Sequence, residues 1–246
     1  MKNLWYWFKN SGSHTQVIDY WKKLHMNEFW HKEVAENKQR KHNLAIAKLY
    51  LGKNTMAKQA KTLTQTELRR VLDYIATRKH STRNRTLLLT TYLSGMRVGE
   101  ISSLRFKDVV DAEGMIRNEI RLLAENTKTN EARTVFVNEK LRKELEAYAA
   151  IYTPKNINSK FFYSQKTDSD GFTANTLTQF FHYLYKRSGI DGASSHSGRR
   201  TFITNLANKG ISVRVLASLA GHKSISTTQC YIDVNDDMKR KAVELA

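Results

Sequence analysis

A set of cations and one tyrosine stand in local settings that could act on an anion. Arg97 follows Gly95 in Ser94-Gly95-Met96-Arg97-Val98-Gly99-Glu100, at a turn between two predicted helices. Lys128 sits in the polar stretch Glu125-Asn126-Thr127-Lys128-Thr129-Asn130-Glu131, between two candidate strands. His196-Ser197-Gly198-Arg199 puts an imidazole and a guanidinium three residues apart at a helix start. That spacing places both on one face, where the N-terminal amides also favour an anion. His222 follows Gly221 after another helix end, and Thr227-Thr228-Gln229-Cys230-Tyr231 closes on a phenol. Taken singly, each has a plainer reading that is the better one: Arg97 as surface charge, His196 as a helix cap, Tyr231 as a core aromatic. Other chemistry finds less support. Gly52-Lys53 lacks the upstream glycine of a phosphate-binding loop and is followed by Asn54, and no G-x-G-x-x-G, Cys-x-x-Cys or His-Glu-x-x-His is present. Glu28-x-x-His31 has the spacing of half a di-iron site but no second copy, so a solvated helix face is the better reading. Gly95-x-x-x-Gly99 reads as a place where two helices approach closely.

The elements that must position these groups are legible in part. Thr64-Gln65-Thr66-Glu67 reads as a capping box, with Leu63 and Leu68 placed as a hydrophobic staple. Leu68, Val71, Leu72 and Ile75 then follow the i, i+3, i+4, i+7 rule of a helix with one buried face. A helix is expected from about Thr82 to Ser94, stopped by Gly95, and a short one from Val98 to Leu104. The period then changes. Gly114 to Leu122 alternates in part like a half-buried strand, and Arg133-Thr134-Val135-Phe136-Val137 is β-branched and aromatic. Together they predict a β-hairpin with Lys128 near its tip. Helices return from Glu139 to Ala149, Thr173 to Ser188, Gly198 to Asn208 and Val213 to Ala220, with Gly210 and Gly221 in helix-ending positions.

The expected fold class is mainly α (α+β): a helical domain over residues 61–246 with one small antiparallel hairpin, preceded by a short helical region over residues 1–60. That first region holds Trp5, Trp7, Trp21 and Trp30 and a basic cluster at Lys38, Arg40 and Lys41. A helix is expected from Asn43 to Leu51, and Gly52 to Lys61 reads as a linker. The aromatics read as the region's core rather than as a base-stacking platform.

Composition narrows the partner. The 246 residues carry 41 Lys and Arg against 23 Asp and Glu, a formal charge of +18. The basic residues are spread over the chain rather than gathered in a tail, which predicts a broad basic face suited to duplex DNA or structured RNA. A hydrophobic content of 40% excludes a mostly disordered chain. The single cysteine, Cys230, excludes an internal disulfide framework and makes the cytoplasm the expected compartment. No apolar run approaches the ~18 residues of a membrane span. The apolar start, Met1 to Lys9, is too short for a secretory signal. No basic helix carries the continuous apolar stripe of a membrane-surface anchor.

Taken together, the motifs say more than any one alone. Thr91 to Val109, His196 to Leu206 and Leu219 to Ile232 resemble the three signature boxes of the tyrosine recombinase (phage integrase) family. That family carries an Arg in a T/S-G-x-R-x-x-E box, a Lys on a β-hairpin, an H-x-x-R box, a G-H box and a nucleophilic Tyr. Here Arg97, Lys128, His196 with Arg199, His222 and Tyr231 stand at those positions in that order. Gly198 departs from the pattern, standing where Leu is usual before the second Arg; the change concerns packing more than chemistry.

The resemblance implies a site-specific DNA recombinase or integrase of the kind that moves mobile elements. It would cleave and rejoin strands through a covalent 3′-phosphotyrosine, with no metal, cofactor or ATP. In that scheme Arg97 and Arg199 bind the phosphate's nonbridging oxygens and Tyr231 is the nucleophile. His196 is the candidate base, Lys128 the acid for the departing 5′ oxygen, His222 a hydrogen-bonding partner of a nonbridging oxygen, and Glu100 an orienting group. The chemistry is consistent: displacement at a phosphodiester gathers negative charge on the equatorial oxygens, which two permanently charged guanidinium forks can hold. A phenol with an ordinary pKa of about 10 needs cations and a base to attack at neutral pH. The implied partners are double-stranded DNA and further copies of the chain, as a homo-tetramer on paired sites. The basic tail from Lys239 to Ala246 would dock on a neighbouring copy through Val243 and Leu245. Family members usually carry a helical DNA clamp of about a hundred residues before the catalytic unit; residues 1–60 are then a shortened clamp or a divergent arm. Three other readings share these residues: a non-catalytic recombinase-like DNA-binding accessory protein, a metal-free nuclease, and a type IB topoisomerase-like strand-relaxing enzyme.

Overall fold

The computed structural model describes residues 59–127, 130–152, 154, 156–165 and 169–232, together with Gln39, 239–240 and 243–244. The chain divides into two units, Met1–Gln59 and Ala60–Ala246. The expected helix at 43–51, the tryptophans, the Glu28/His31 pair and Lys128 lie outside the described residues.

In the second unit, helix α1 (Gln65–Ala76) opens on the expected capping box. The Thr64 hydroxyl accepts from the Glu67 amide at 3.2 Å, and the Glu67 carboxylate accepts from the Thr64 amide at 3.0 Å. Its buried face is Leu68, Val71 and Ile75. Helix α2 (Ser81–Ser94) has no solvent face over its centre, since every residue from Thr86 to Tyr92 is buried. Four of its threonine and serine hydroxyls bond back to the helix itself. Thr86 donates to the Thr82 carbonyl, Thr90 to Thr86, Thr91 to Leu88 and Ser94 to Thr90. Back-bonding of this kind lets a threonine-rich segment form a core helix without orphaned donors. Helix α2 stops at Gly95, which has a φ of +67°. A Cβ there would also sit 2.5 Å from the Phe202 ring, so the position requires glycine twice over. Gly99, expected to share in a close helix approach, has open space where its Cβ would be.

Two short helices follow, α3 (Val98–Ser103) and α4 (Phe106–Val109), and then strands β1 (Glu119–Leu122) and β2 (Arg133–Phe136). The strands pair antiparallel, with Glu119 opposite Phe136 and Leu122 opposite Arg133. The strand expected from Gly114 starts later. The Asp111 carboxylate accepts from the Glu113 and Met115 amides and folds that stretch into a turn, leaving only a single bridge between Val110 and Ile116. A 3-10 turn (Ala124–Asn126) follows β1.

Helices α5 (Glu139–Ala149), α6 (Ala174–Arg187), α7 (Ser197–Asn208), α8 (Val213–Ala220) and α9 (Ile225–Gln229) complete the unit. Helix α2 packs on α5 and α7, and α3 on α6. Among the described residues the fold is thus mainly helical with one small antiparallel sheet, as the sequence predicts. Helices α4 and α9, of 4 and 5 residues, escape the sequence reading because they are too short to show a helical period. No helix among the described residues is long and apolar enough to cross a membrane.

The unusual Gly198 is explained where α7 meets α2. A Cβ at residue 198 would lie 2.0 Å from the Thr91 hydroxyl oxygen and 2.8 Å from its Cβ. Thr91 is buried and β-branched, with its hydroxyl committed to Leu88, so it has little room to yield. Gly198→Ala is therefore expected to lower the melting temperature. Alanine gains about 1 kcal/mol of helix propensity over glycine, but overpacking a core costs about 1–3 kcal/mol. Calorimetry decides the matter, and an unchanged or raised Tm would mean that the contact is soft.

Candidate active site

The site is built around a carboxylate. Arg97 is the N-cap of α3, and Glu100 in the first turn accepts from the Arg97 amide at 2.8 Å. The other Glu100 oxygen accepts from Arg97 Nη1 at 2.9 Å. From β2, Arg133 donates Nη2 to Glu100 at 2.7 Å and Nε at 3.3 Å. Glu100 is 1% exposed. Burial pushes its pKa up, but the hydrogen bonds and charges of Arg133 and Arg97 outweigh this and hold the carboxyl below its ordinary value.

Arg199, in the first turn of α7, is 4% exposed. It donates Nη1 to the Gly95 carbonyl at 2.7 Å and Nη2 to the Ala220 carbonyl at 2.6 Å. The same Nη2 lies 2.8 Å from His222 Nε2. Burial, followed by the charge of Arg97, lowers the Arg199 pKa to about 9, with Glu100 opposing the shift and Arg133 adding to it. The receiving carbonyls close helices α2 and α8, where unpaired C=O groups carry partial negative charge. The end of α8 does this repeatedly: Leu219 O receives Arg133 at 2.8 Å, Ala220 O receives Arg199, and Gly221 O receives Arg97 at 3.4 Å. Three successive carbonyls thus align three guanidinium groups.

Gly221 ends α8 with a φ of +64° and turns the chain into His222. A guanidinium has no acceptor, so the His222 Nε2 beside Arg199 must itself accept. The ring proton then sits on Nδ1, which donates to Thr228 Oγ1 at 2.8 Å. Burial, then the charges of Arg199, Arg97 and Arg133, lower the His222 pKa to about 4. The ring stacks on Tyr231 with centroids 5.7 Å apart and 22° between planes. Arg200 lies over the Tyr231 ring, 5.3 Å from its centroid, and donates Nε to Thr62 at 3.3 Å. Tyr231 is half-buried just past α9, its amide bonded to the Thr228 carbonyl.

Of the residues singled out in sequence, Arg97, Glu100, Arg199, His222 and Tyr231 form one contiguous cluster. His196 is the exposed N-cap of the helix that carries Arg199, and its side chain does not cap that helix. Lys128 is outside the described residues. His222, expected to bond a phosphate oxygen, uses Nε2 as an acceptor toward Arg199 in this arrangement. Two residues of the cluster escape the sequence reading, Arg133 and Arg200. Arg133 left a signal: it stands two residues before the buried Val135, hence on the inward face of the strand, where an arginine needs a partner. Arg200 left none beyond adjoining Arg199. No group of three or more His, Cys, Asp or Glu able to hold a metal ion is found among the described residues.

The His222 assignment is testable. Nitrogen NMR at pH 6 is expected to show a neutral ring protonated on Nδ1, titrating near pH 4 against an ordinary value of 6.5. The folded pKa is depressed, so the unfolded chain binds the extra proton between these values. Stability present above pH 6.5 is therefore lost as pH falls toward 4, and the depressed Glu100 adds a loss of the same sign below the ordinary carboxylate range. A ring that takes its proton near pH 6.5, or carries it on Nε2, would contradict the arrangement.

The phage integrase family's sequence model matches residues 61–238. Tyrosine recombinase XerA of Pyrococcus furiosus is 27% identical over 186 residues, which are 76% of this chain and 62% of that protein. Tyrosine recombinase XerA of Thermococcus kodakarensis is 31% identical over 190 residues, again 76% of this chain and 62% of the relative. The crystal structure of XerA recombinase matches with a TM-score of 0.61 at 25% identity, covering 77% of this chain and 64% of that one. This chain thus spans 62% of the length of those two curated relatives. With the family match running over residues 61–238, across both the helical fold and the charged cluster, the chain belongs to the phage integrase family.

Proposed function

We propose that this protein is a tyrosine-type site-specific DNA recombinase or integrase, acting on double-stranded DNA in the cytoplasm. The observation that carries the reading is the convergence of Arg97, Arg199, His222 and Tyr231, drawn from three separate segments, on one cluster with excess positive charge. Two guanidinium groups share a single carboxylate there and a third, Arg199, is held by carbonyls instead, so the site presents a net positive field to a phosphodiester. Of the five N–H donors of Arg199, three are engaged by Gly95, Ala220 and His222; the others suit a nonbridging phosphate oxygen, as does the partly exposed Arg97.

In the proposed reaction the Tyr231 oxygen attacks phosphorus while the bond from phosphorus to the 5′ oxygen breaks. The phenol proton passes to His196 as base, and Lys128 protonates the departing 5′ oxygen. A 5′ hydroxyl of another strand then attacks the phosphotyrosine, and Tyr231 leaves and regains its proton. One phosphoester bond replaces another at each step, so no ATP is consumed. Residues 1–60 serve as a DNA-clamping region. The working form is a homo-tetramer on paired sites, in which one copy's tail lies on the next. A groove of about 950 Å³ floored by Leu68, Leu89, Tyr92, Phe202 and Leu206 suits such a tail, and Val243 is 73% exposed on it.

Tyr231→Phe is expected to abolish the denaturant-resistant protein–DNA adduct on a nicked duplex while leaving gel-shift affinity intact, since only a hydroxyl is lost. Cleavage by the native protein is expected to survive EDTA, because the guanidinium groups supply the charge a metal would. An adduct that persists in the Phe variant would remove Tyr231 from the role, and an unmodified protein that binds but never forms one would favour the accessory-protein reading.

Lys128→Ala is expected to slow cleavage of an ordinary phosphodiester far more than that of a 5′-bridging phosphorothiolate, because a thiolate leaves without a proton. Equal defects on both substrates would restrict Lys128 to binding.

A further inference from the structure

Arg133 is the side chain that ties the first and third sequence boxes together, although it belongs to neither. It is 8% exposed at its side chain. Its Nε and Nη2 hold the Glu100 carboxylate, and its Nη1 holds the Leu219 carbonyl at 2.8 Å. Its stem fills the space over Gly221, where a Cβ would lie 2.5 Å from Arg133 Cδ. The turn beneath that stem is the one that presents the Gly221 carbonyl to Arg97 and His222 to Arg199. Arg133 also pairs with Leu122 at the end of the β1–β2 ladder, so it fastens β2 to both boxes at once.

We infer that Arg133 is a positioning residue for strand cleavage, holding Glu100 against Arg97 on one side and the 219–222 turn on the other, and so setting the distance between Arg97 and His222. The inference rests on the recombinase reading. Its physical reason is the sharing of one carboxylate between two guanidinium groups. With Arg133 present, Glu100 neutralises neither cation fully, and Arg97 keeps charge to offer a phosphate. Without it, a buried carboxylate keeps Arg97 as its main partner and draws that group away from the substrate. The charged groups facing Glu100 are Arg97, Arg133 and Arg199. Those facing His222 are Arg199, Arg97 and Arg133, with the Tyr231 ring stacked on it.

The test uses the full chain as native protein, Arg133→Lys, Arg133→Gln and the double variant Arg133→Gln/Glu100→Gln, each first shown to be folded by its thermal melt. Single-turnover cleavage of a nicked duplex is expected to slow about 10- to 100-fold in Arg133→Gln, the scale on which small misplacements of reacting groups act, while the affinity for DNA changes little. Arg133→Lys is expected not to rescue, since one ammonium cannot span both Glu100 and the Leu219 carbonyl. In Arg133→Gln the cleavage rate should acquire a new rise on acidification, as the carboxylate left with Arg97 alone takes up a proton and releases that guanidinium. Adding Glu100→Gln should remove that rise by releasing Arg97 at every pH, which a merely structural role for Arg133 would not produce. The His222 ring in Arg133→Gln should titrate above the native value, a readout that needs neither DNA nor cleavage. A folded Arg133→Gln protein with the native cleavage rate and the native His222 titration would overturn the inference. A native protein that forms no adduct would sink the recombinase reading, and the ring titration would then still decide whether Arg133 holds the turn.

Discussion

A carboxylate that is 1% exposed stays charged only if its surroundings replace the water it has lost, and around Glu100 that replacement organises the rest of the site. Arg97 reaches it from its own helix cap, and Arg133 reaches it from the strand. Each contact fixes a backbone as well as a side chain. The Arg97 amide bonds the same carboxylate, so the turn after Gly95 is locked to α3. The second hand of Arg133 is on Leu219, so the end of α8 is locked to the sheet. One buried charge thereby couples three segments that are far apart in the chain.

The excess positive charge is balanced by the backbone. Arg199 touches no carboxylate among its described hydrogen bonds; it is held by carbonyls at the ends of α2 and α8. Helix C-termini suit this role because their last carbonyls have no intrahelical donor. Partial charges stabilise a cation without neutralising it, as a full counter-ion would. The consequence is a cluster in which burial first, and then the repulsion of neighbouring cations, depress the pKa values of His222 and Arg199. Such a cluster is stabilised by an incoming anion, and a phosphodiester is the anion the proposed reaction supplies. The glycines serve the same geometry: Gly95 and Gly221 end the two helices in left-handed turns, and side chains from other elements occupy the space a Cβ would need.

The nucleophile candidate is placed by weaker forces. Tyr231 is held by stacking on His222, by the Arg200 guanidinium over its ring and by backbone bonds to Thr228 and Thr204. Among the described residues no buried ion pair fixes it. The contrast suits the proposed division of labour, in which the phosphate cradle is rigid and the group that forms and breaks a covalent bond is lightly held.

Much of this was legible in the residues alone. The capping box at Thr64, the stop at Gly95, the helix over Glu139–Ala149 and the helix over Val213–Ala220 are local events, governed by hydrogen bonds within a few residues and by the 3.6 period, and the sequence alone marks them. The motif residues were legible because their spacing within each box is local too, as in Arg97 with Glu100 and His196 with Arg199. What the sequence could not show is which groups touch across the boxes. That Arg133 completes the Glu100 pair, that Gly198 is there to admit Thr91, and that His222 carries its proton on Nδ1 all depend on contacts between residues remote in the chain. Such contacts are decided by how α2, α7, α8 and the hairpin pack, and packing leaves no periodic signature in a single sequence. The sequence by itself therefore determined the elements and the candidate groups, because propensity, capping and charge act over short range. Only the tertiary structure decided the protonation states and the partnerships, because these arise from burial and from the alignment of three arginines on the end of one helix.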